Sequence, residues 1–225
     1  MSVSVESISK GFDTLAKNPL LLVPYAAPII IKIVFDVLAH LFPLRYYFGP
    51  FLIAEVPNPS IILLGSIIAG IVGFVAACVL VDMTYDFLSG RPANLSKSLN
   101  YVMNRIGVLI VVSIIAAILG ITIILLPVAM FIVVVTIIEG TDIVESIKRA
   151  FSFAINNIGE IIVFIIIVIV VELIFSFGFS LIPIVGSYIG TIIGWILSAI
   201  FTISAVHLYL TLRQLPPPPP PPPPP

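Results

Sequence analysis

Three charged residues stand inside long apolar runs: Lys32, Asp36 and Glu172. A charge in the middle of a hydrocarbon layer costs at least ~2.5–3.5 kcal/mol, so such groups pair with one another or line a polar cavity. Lys32 and Asp36 are four residues apart and share one face of any helix that carries them. Counted from the same side of a bilayer, Lys32 and Glu172 each lie about 14 residues into their segments, near mid-depth. Two chemistries fit this trio. One is a structural ion pair, Lys32 with Asp36 or with Glu172, that locks helices together. The other is a polar intramembrane site for protons, ions or lipid headgroups. Two acids against one base leave a carboxylate over, and a proton-carrying site would require one.

The remaining candidates read as helix-end groups. His207, Asp82 and Asp86 fall near the ends of apolar runs, and one His without a motif is a poor metal ligand set. Glu139 closes one run, Glu160 opens another, and His40 stands at an outer boundary. Cys78 is the sole cysteine, inside an apolar run, so neither an intrachain disulfide nor a cysteine zinc site is expected. There is no Gly-rich phosphate loop, no HExxH and no GxSxG, and neither His is placed beside a mid-membrane Ser. The expectation is therefore a protein that is not an enzyme, with no cofactor and no metal.

These residues need elements to position them, and composition says what kind. Of 225 residues, 60% are hydrophobic and only 9% charged, against about 25% charged in soluble domains. Too little polar surface remains to face water, so lipid must solvate much of the chain. A net charge of −1 argues against nucleic acid as a partner. The wealth of Ile with few Cys and His fits a thermophile.

The hydropathy pattern predicts an all-α, polytopic transmembrane bundle over residues 1–215. Amphipathic helices are expected at about 3–17, 94–104 and 142–157. The spans expected are about 20–41, 60–81, 106–121, 125–138, 159–177 and 186–212. Residues 42–59 read as an aromatic, proline-punctuated loop at headgroup level. Gly65, Ala69 and Gly73 form a small-residue stripe suited to close helix approach. Residues 216–225 are a polyproline tail, or a foreign or undetermined tract written as proline. No cleavable signal peptide is visible, so the first span is expected to direct insertion.

Ile106–Ile138 is ambiguous. As one helix its 33 uncharged residues would run to about 50 Å, against a hydrocarbon core of about 30 Å. Gly120 and Pro127 offer a turn that would make it a hairpin of two short arms.

An internal repeat bears on the choice. Aligned without gaps, Ile8, Leu95 and Ile147 correspond, as do Lys10, Lys97 and Arg149, then Phe12, Leu99 and Phe151. Each amphipathic helix feeds directly into an apolar run. The unit is an interfacial helix followed by a transmembrane hairpin, used three times. All three helices should then lie on one membrane face, with Lys10, Lys97, Lys148 and Arg149 near lipid phosphates. With six spans that face holds Lys10, Lys17, Arg91, Lys97, Arg105, Lys148, Arg149 and Arg213, and the other holds only Arg45, a bias of 8 to 1. A single span at 106–138 would give 5 to 4. The positive-inside rule selects six spans, with both termini cytoplasmic and the chain in the cell membrane.

Asn94 to Arg213 has a further likeness. Leu126-Pro127 leads to Ile138-Glu139-Gly140, then to Ser146-Ile147-Lys148-Arg149-Ala150-Phe151 and Asn156-Asn157. The last run carries Gly190 and Gly194 and ends in His207-Leu208-Tyr209-Leu210-Thr211-Leu212-Arg213. This resembles the membrane domain attached to some bacterial glycerophosphodiester phosphodiesterases, and related stand-alone membrane proteins of archaea and bacteria. The resemblance implies a six-span bundle with interfacial helices. It implies no activity, because the soluble phosphodiesterase domain is absent from this sequence.

The functional expectation is an integral membrane scaffold, anchor or complex subunit. The alternative is a transporter or lipid-handling protein with a polar site at Lys32, Asp36 and Glu172. The partners expected are the lipid bilayer and either another membrane protein or further copies of the chain.

Overall fold

The computed structural model describes residues 2–48, 50–122, 125–181 and 185–213. The polyproline tail and Pro183, part of the turn read between the last two runs, lie outside them. Helices α1 (Val3–Lys17), α2 (Val23–Leu41), α3 (Pro59–Leu88), α4 (Leu95–Asn104), α5 (Ile106–Gly120), α6 (Leu126–Glu139), α7 (Ile143–Asn156), α8 (Ile158–Ser180) and α9 (Val185–Leu212) account for most of the described chain. A 3-10 turn, Pro19–Leu22, leads into α2.

Proline and Asx residues punctuate the helices as local rules require. Asn58, Asn94 and Asp142 each accept a backbone N–H from the first turn of the helix they precede. Pro59 and Pro127 occupy first-turn positions, where a missing N–H costs nothing. Gly140 ends α6 with φ 62°, the left-handed conformation that favours glycine at a helix C-terminus.

Among the described residues, four stretches are long and apolar enough to cross a membrane: Pro19–Leu41, Pro59–Leu88, Ile158–Phe179 and Tyr188–Leu212. A fifth results if α4 and α5, bent by 76°, count as one broken span. The chain thus has the make-up of a multi-pass membrane protein. The run at 106–138 is broken and is not one continuous helix. Its arms α5 and α6 pack on each other, but their 15 and 14 residues reach only about 22 Å each, short of a hydrocarbon core of about 30 Å.

Residues 42–59 are more ordered than the expected loop. Leu44–Phe48 (β1) and Phe51–Val56 (β2) form an antiparallel hairpin, with Arg45 opposite Glu55 and a bulge at Tyr46/Tyr47. Aromatic and β-branched residues prefer strands, and Gly49-Pro50 punctuates them.

The helices form a ring of three similar units. α3, α6 and α9 touch one another in pairs and make the centre. Each packs beside the helix before it, α2, α5 or α8. Each also receives one short helix: α4 on α3, α7 on α6, and α1 on α9. The last contact joins the two ends of the described chain and closes the ring. The core includes the C-terminal halves of the central helices, where Met83, Val135 and Leu208 are fully buried.

The faces that α1, α4 and α7 turn to this core combine small polar residues with part of their apolar stripes. Ser4, Ser7, Gly11 and Thr14 are the buried positions of α1, with Leu15 beside them. Ser98 and Val102 serve α4, and Ser146, Ala150, Phe153 and Ala154 serve α7. Val5, Phe12, Leu99, Met103, Val144 and Ile155 are exposed. Small side chains allow close approach: a Cβ on Gly11 would lie 2.0 Å from Ser204 Oγ.

Candidate functional site

Lys32 and Asp36 form an ion pair along one face of α2, both side chains largely shielded. The backbone oxygen of Asp36 is 2.7 Å from His40 Nδ1. Lys32 also lines an open groove of about 420 Å³ between α2, α3 and α9, walled by Ser66, Ala69, Gly194, Trp195 and Ser198. The small-residue stripe of α3 builds this region. Gly65 is packed under Phe35 and Gly73 under Trp195, each too close for a Cβ.

Glu172 is not part of that arrangement. It sits on α8, exposed, and has no ion pair or hydrogen bond among the described residues. It lines a second open groove, of about 300 Å³, with Ala77 of α3, Met130 of α6 and Ser198 and Thr202 of α9. Of the two pairings read from the sequence, the structure makes Lys32–Asp36 and leaves Glu172 apart. Ser198 borders both grooves. Between them Tyr25 is almost fully buried, its hydroxyl 3.4 Å from Thr202 Oγ1 and its ring 5.5 Å from Trp195. Hydroxyl groups therefore occupy the wall separating the two charged positions.

A different set of charges gathers where the short helices meet the central ones. Asp86, 2% exposed, closes α3 and binds Arg91 Nε at 2.6 Å and Lys97 Nζ at 2.5 Å. Glu139, 5% exposed, closes α6 and binds Arg149, the Tyr209 hydroxyl and, at 3.1 Å, Arg213. An acid at a helix C-terminus opposes the helix dipole, so these cations offset an unfavourable placement. Arg149 also binds Glu145 at 2.7 Å, and the two carboxylates hold its guanidinium still further above the usual titration range.

Neutral groups complete this layer. Arg105 donates to Tyr101 at 2.9 Å and to the carbonyls of Thr136, at 3.1 Å, and Thr141, while Tyr101 donates to that of Ile137 at 2.9 Å. These donors satisfy carbonyls that the end of α6 leaves without helical partners. Glu160 accepts from the Ser4 N–H at 2.9 Å and the Ser4 hydroxyl at 2.7 Å, tying α8 to α1. Thr14 Oγ1 meets His207 Nε2 at 2.8 Å.

Of the basic residues expected at lipid phosphates, Lys97 and Arg149 hold these clamps, and Lys10 pairs with Glu6 at 2.7 Å on exposed α1. Lys148 is exposed, with no ion pair among the described residues. The clamps had a signal in the repeat. Lys97 and Arg149 stand at aligned positions, and each follows an acid, Asp86 by 11 residues and Glu139 by 10. Among the described residues no group of three or more His, Cys, Asp or Glu is placed to hold a metal ion. Asp82, Thr84 and Ser98 are buried, each with a side-chain oxygen that lacks a hydrogen-bond partner among the described residues.

No protein-family model matches the chain, and no curated protein or solved structure matches it.

Proposed function

We propose that this chain is a non-enzymatic, six-span membrane protein that takes lipid or another membrane-soluble ligand at its intramembrane grooves. In this reading α1, α4 and α7 lie in the cytoplasmic interface, the termini are cytoplasmic, and the chain belongs with the stand-alone relatives of phosphodiesterase-attached membrane domains. The observation that carries it is the separation of Lys32 from Glu172. Each lines its own open groove, where a structural Lys32–Glu172 pair would join them in a closed core. Intramembrane charges that face a cavity mark ligand or ion sites more often than packing devices.

Extraction in native-lipid discs, with mass spectrometry of what co-purifies, tests the reading. A single enriched lipid species, lost in Lys32→Ala or Glu172→Gln, is the expected result. A stoichiometric protein partner, with no selective lipid, would replace it by the scaffold or subunit reading. The clamped layer of Asp86, Glu139 and their cations supports that second reading, because it gives the bundle one rigid face. A reporter fused at Gly140 tests the span count. An intracellular signal is expected, and an extracellular one would leave α5 and α6 crossing only once.

A further inference from the structure

Glu172 is an unusual occupant of its helix. The span Ile158–Phe179 is otherwise apolar beyond Glu160. Counted along it, Glu172 lies about 21 Å from the start and about 10 Å from the far end. That is inside the hydrocarbon layer, where a carboxylate without a counter-charge is costly. No counter-charge reaches it among the described residues, and Lys32 is engaged by Asp36 in the other groove.

The second groove has an apolar floor with a polar edge. Ala77, Met130 and Val133 provide the first; Ser198, Thr202 and Glu172 provide the second. Thr202 Oγ1 donates to the Ser198 carbonyl at 2.8 Å and has the Tyr25 hydroxyl at 3.4 Å, which leaves one lone pair to accept. An ammonium group carries three donors and one positive charge, which suits a carboxylate beside hydroxyl oxygens. The groove wall described for this site contains no Lys, Arg or His. A phosphate-bearing headgroup would therefore bring an anion that nothing there pairs with. The volume, about 300 Å³, is at the lower end for small-molecule sites.

We infer that the Glu172 groove binds a lipophilic amine: one ammonium group on a hydrocarbon body, without phosphate. The ammonium pairs with Glu172, and the chain lies against Ala77 and Met130. This rests on the groove reading above and specifies the ligand class for one of the two grooves.

The test uses the full chain in phosphatidylcholine nanodiscs and dicyclohexylcarbodiimide, a membrane-soluble reagent for carboxyl groups. Adduct at Glu172 is followed by peptide mass spectrometry, with Glu172→Gln as the blank. N,N-dimethyldodecylamine, a tertiary amine that cannot form an amide with the activated carboxyl, should slow labelling about fivefold at four times its half-saturating content, because the free fraction falls as 1/(1 + [L]/Kd). Dodecanol and phosphatidylethanolamine should not. In Ala77→Leu, which fills the groove and keeps the carboxylate, labelling should persist and amine protection should vanish.

Equal protection by dodecanol, protection that survives in Ala77→Leu, or no labelling of Glu172 at all would each overturn the inference. So would protection that tracks dimer formation, which would make the groove a self-association face. Lipid enrichment that depends on Lys32 alone would leave the broader groove reading standing while this inference fails.

Discussion

Where α1, α4 and α7 pack, Met83, Phe131, Ile132 and Leu208 are inaccessible and the buried acids Asp86 and Glu139 each meet two or more donors. Toward the other end of α8, Ile166, Ile169, Val170, Leu173, Ile174 and Phe177 are exposed, and Glu172 has no partner among the described residues. One half of the bundle is tied by polar contacts between distant parts of the chain. The other is loosely packed and holds both grooves. Charges buried with partners resist change, whereas a charge left over in an open half is free to meet something else.

The sharpest way to break this contrast is at Glu139. Glu139→Ala strands Arg149, Arg213 and Tyr209 and should lower unfolding stability in detergent by about 3 kcal/mol. Glu172→Gln should change it by less than about 0.5 kcal/mol. Comparable losses in thermal melts of the two variants would erase the distinction between the halves.

Gly11→Ala comes next. Its Cβ would meet Ser204 Oγ at 2.0 Å and the Ile200 carbonyl at 3.0 Å, an overpacking worth about 1–3 kcal/mol. Hydrogen exchange should show α1 lifting from α9 while α7 stays protected. Loss of protection throughout would mean that the clamped layer unfolds as one body. Arg105→Ala should cost about 1–3 kcal/mol by leaving the carbonyls at the end of α6 unsatisfied, with opening confined to the α6–α7 junction.

The smallest effect belongs to Glu6 and Lys10, both exposed. Lys10 holds the Glu6 carboxyl below its ordinary value of 4.5. The pair therefore contributes above that value, and its contribution fades as pH falls through the lowered one. Salt should abolish it. A pH-induced detachment of α1 that survives high salt would point to another group.

Much of this was legible in the sequence. Short helices at α1, α4 and α7, the break near Gly120 and the i,i+4 pairing of Lys32 with Asp36 all follow from periodicity and turn residues. Lost to that reading were contacts across the repeat. Ser4, Ser7, Gly11 and Thr14 look like a solvated face, because small polar side chains carry no hydropathy signal. Packed on another helix, they are what lets two backbones come close. The hairpin at 44–56 was hidden for a related reason: Tyr46, Tyr47 and Phe51 satisfy a headgroup-level loop and a strand equally well. That Glu172 would stand apart from Lys32 depends on helix rotation, which linear spacing does not fix.

The contact of α1 with α9 has a genetic meaning. α1 stands to α9 as α4 stands to α3 and α7 to α6, so the order in which the gene spells the units is one cut through a circle. A circular permutant opened at the Ser89-Gly90 turn, with Arg213 joined to Ser2 by a short flexible linker, should insert and fold like the parent.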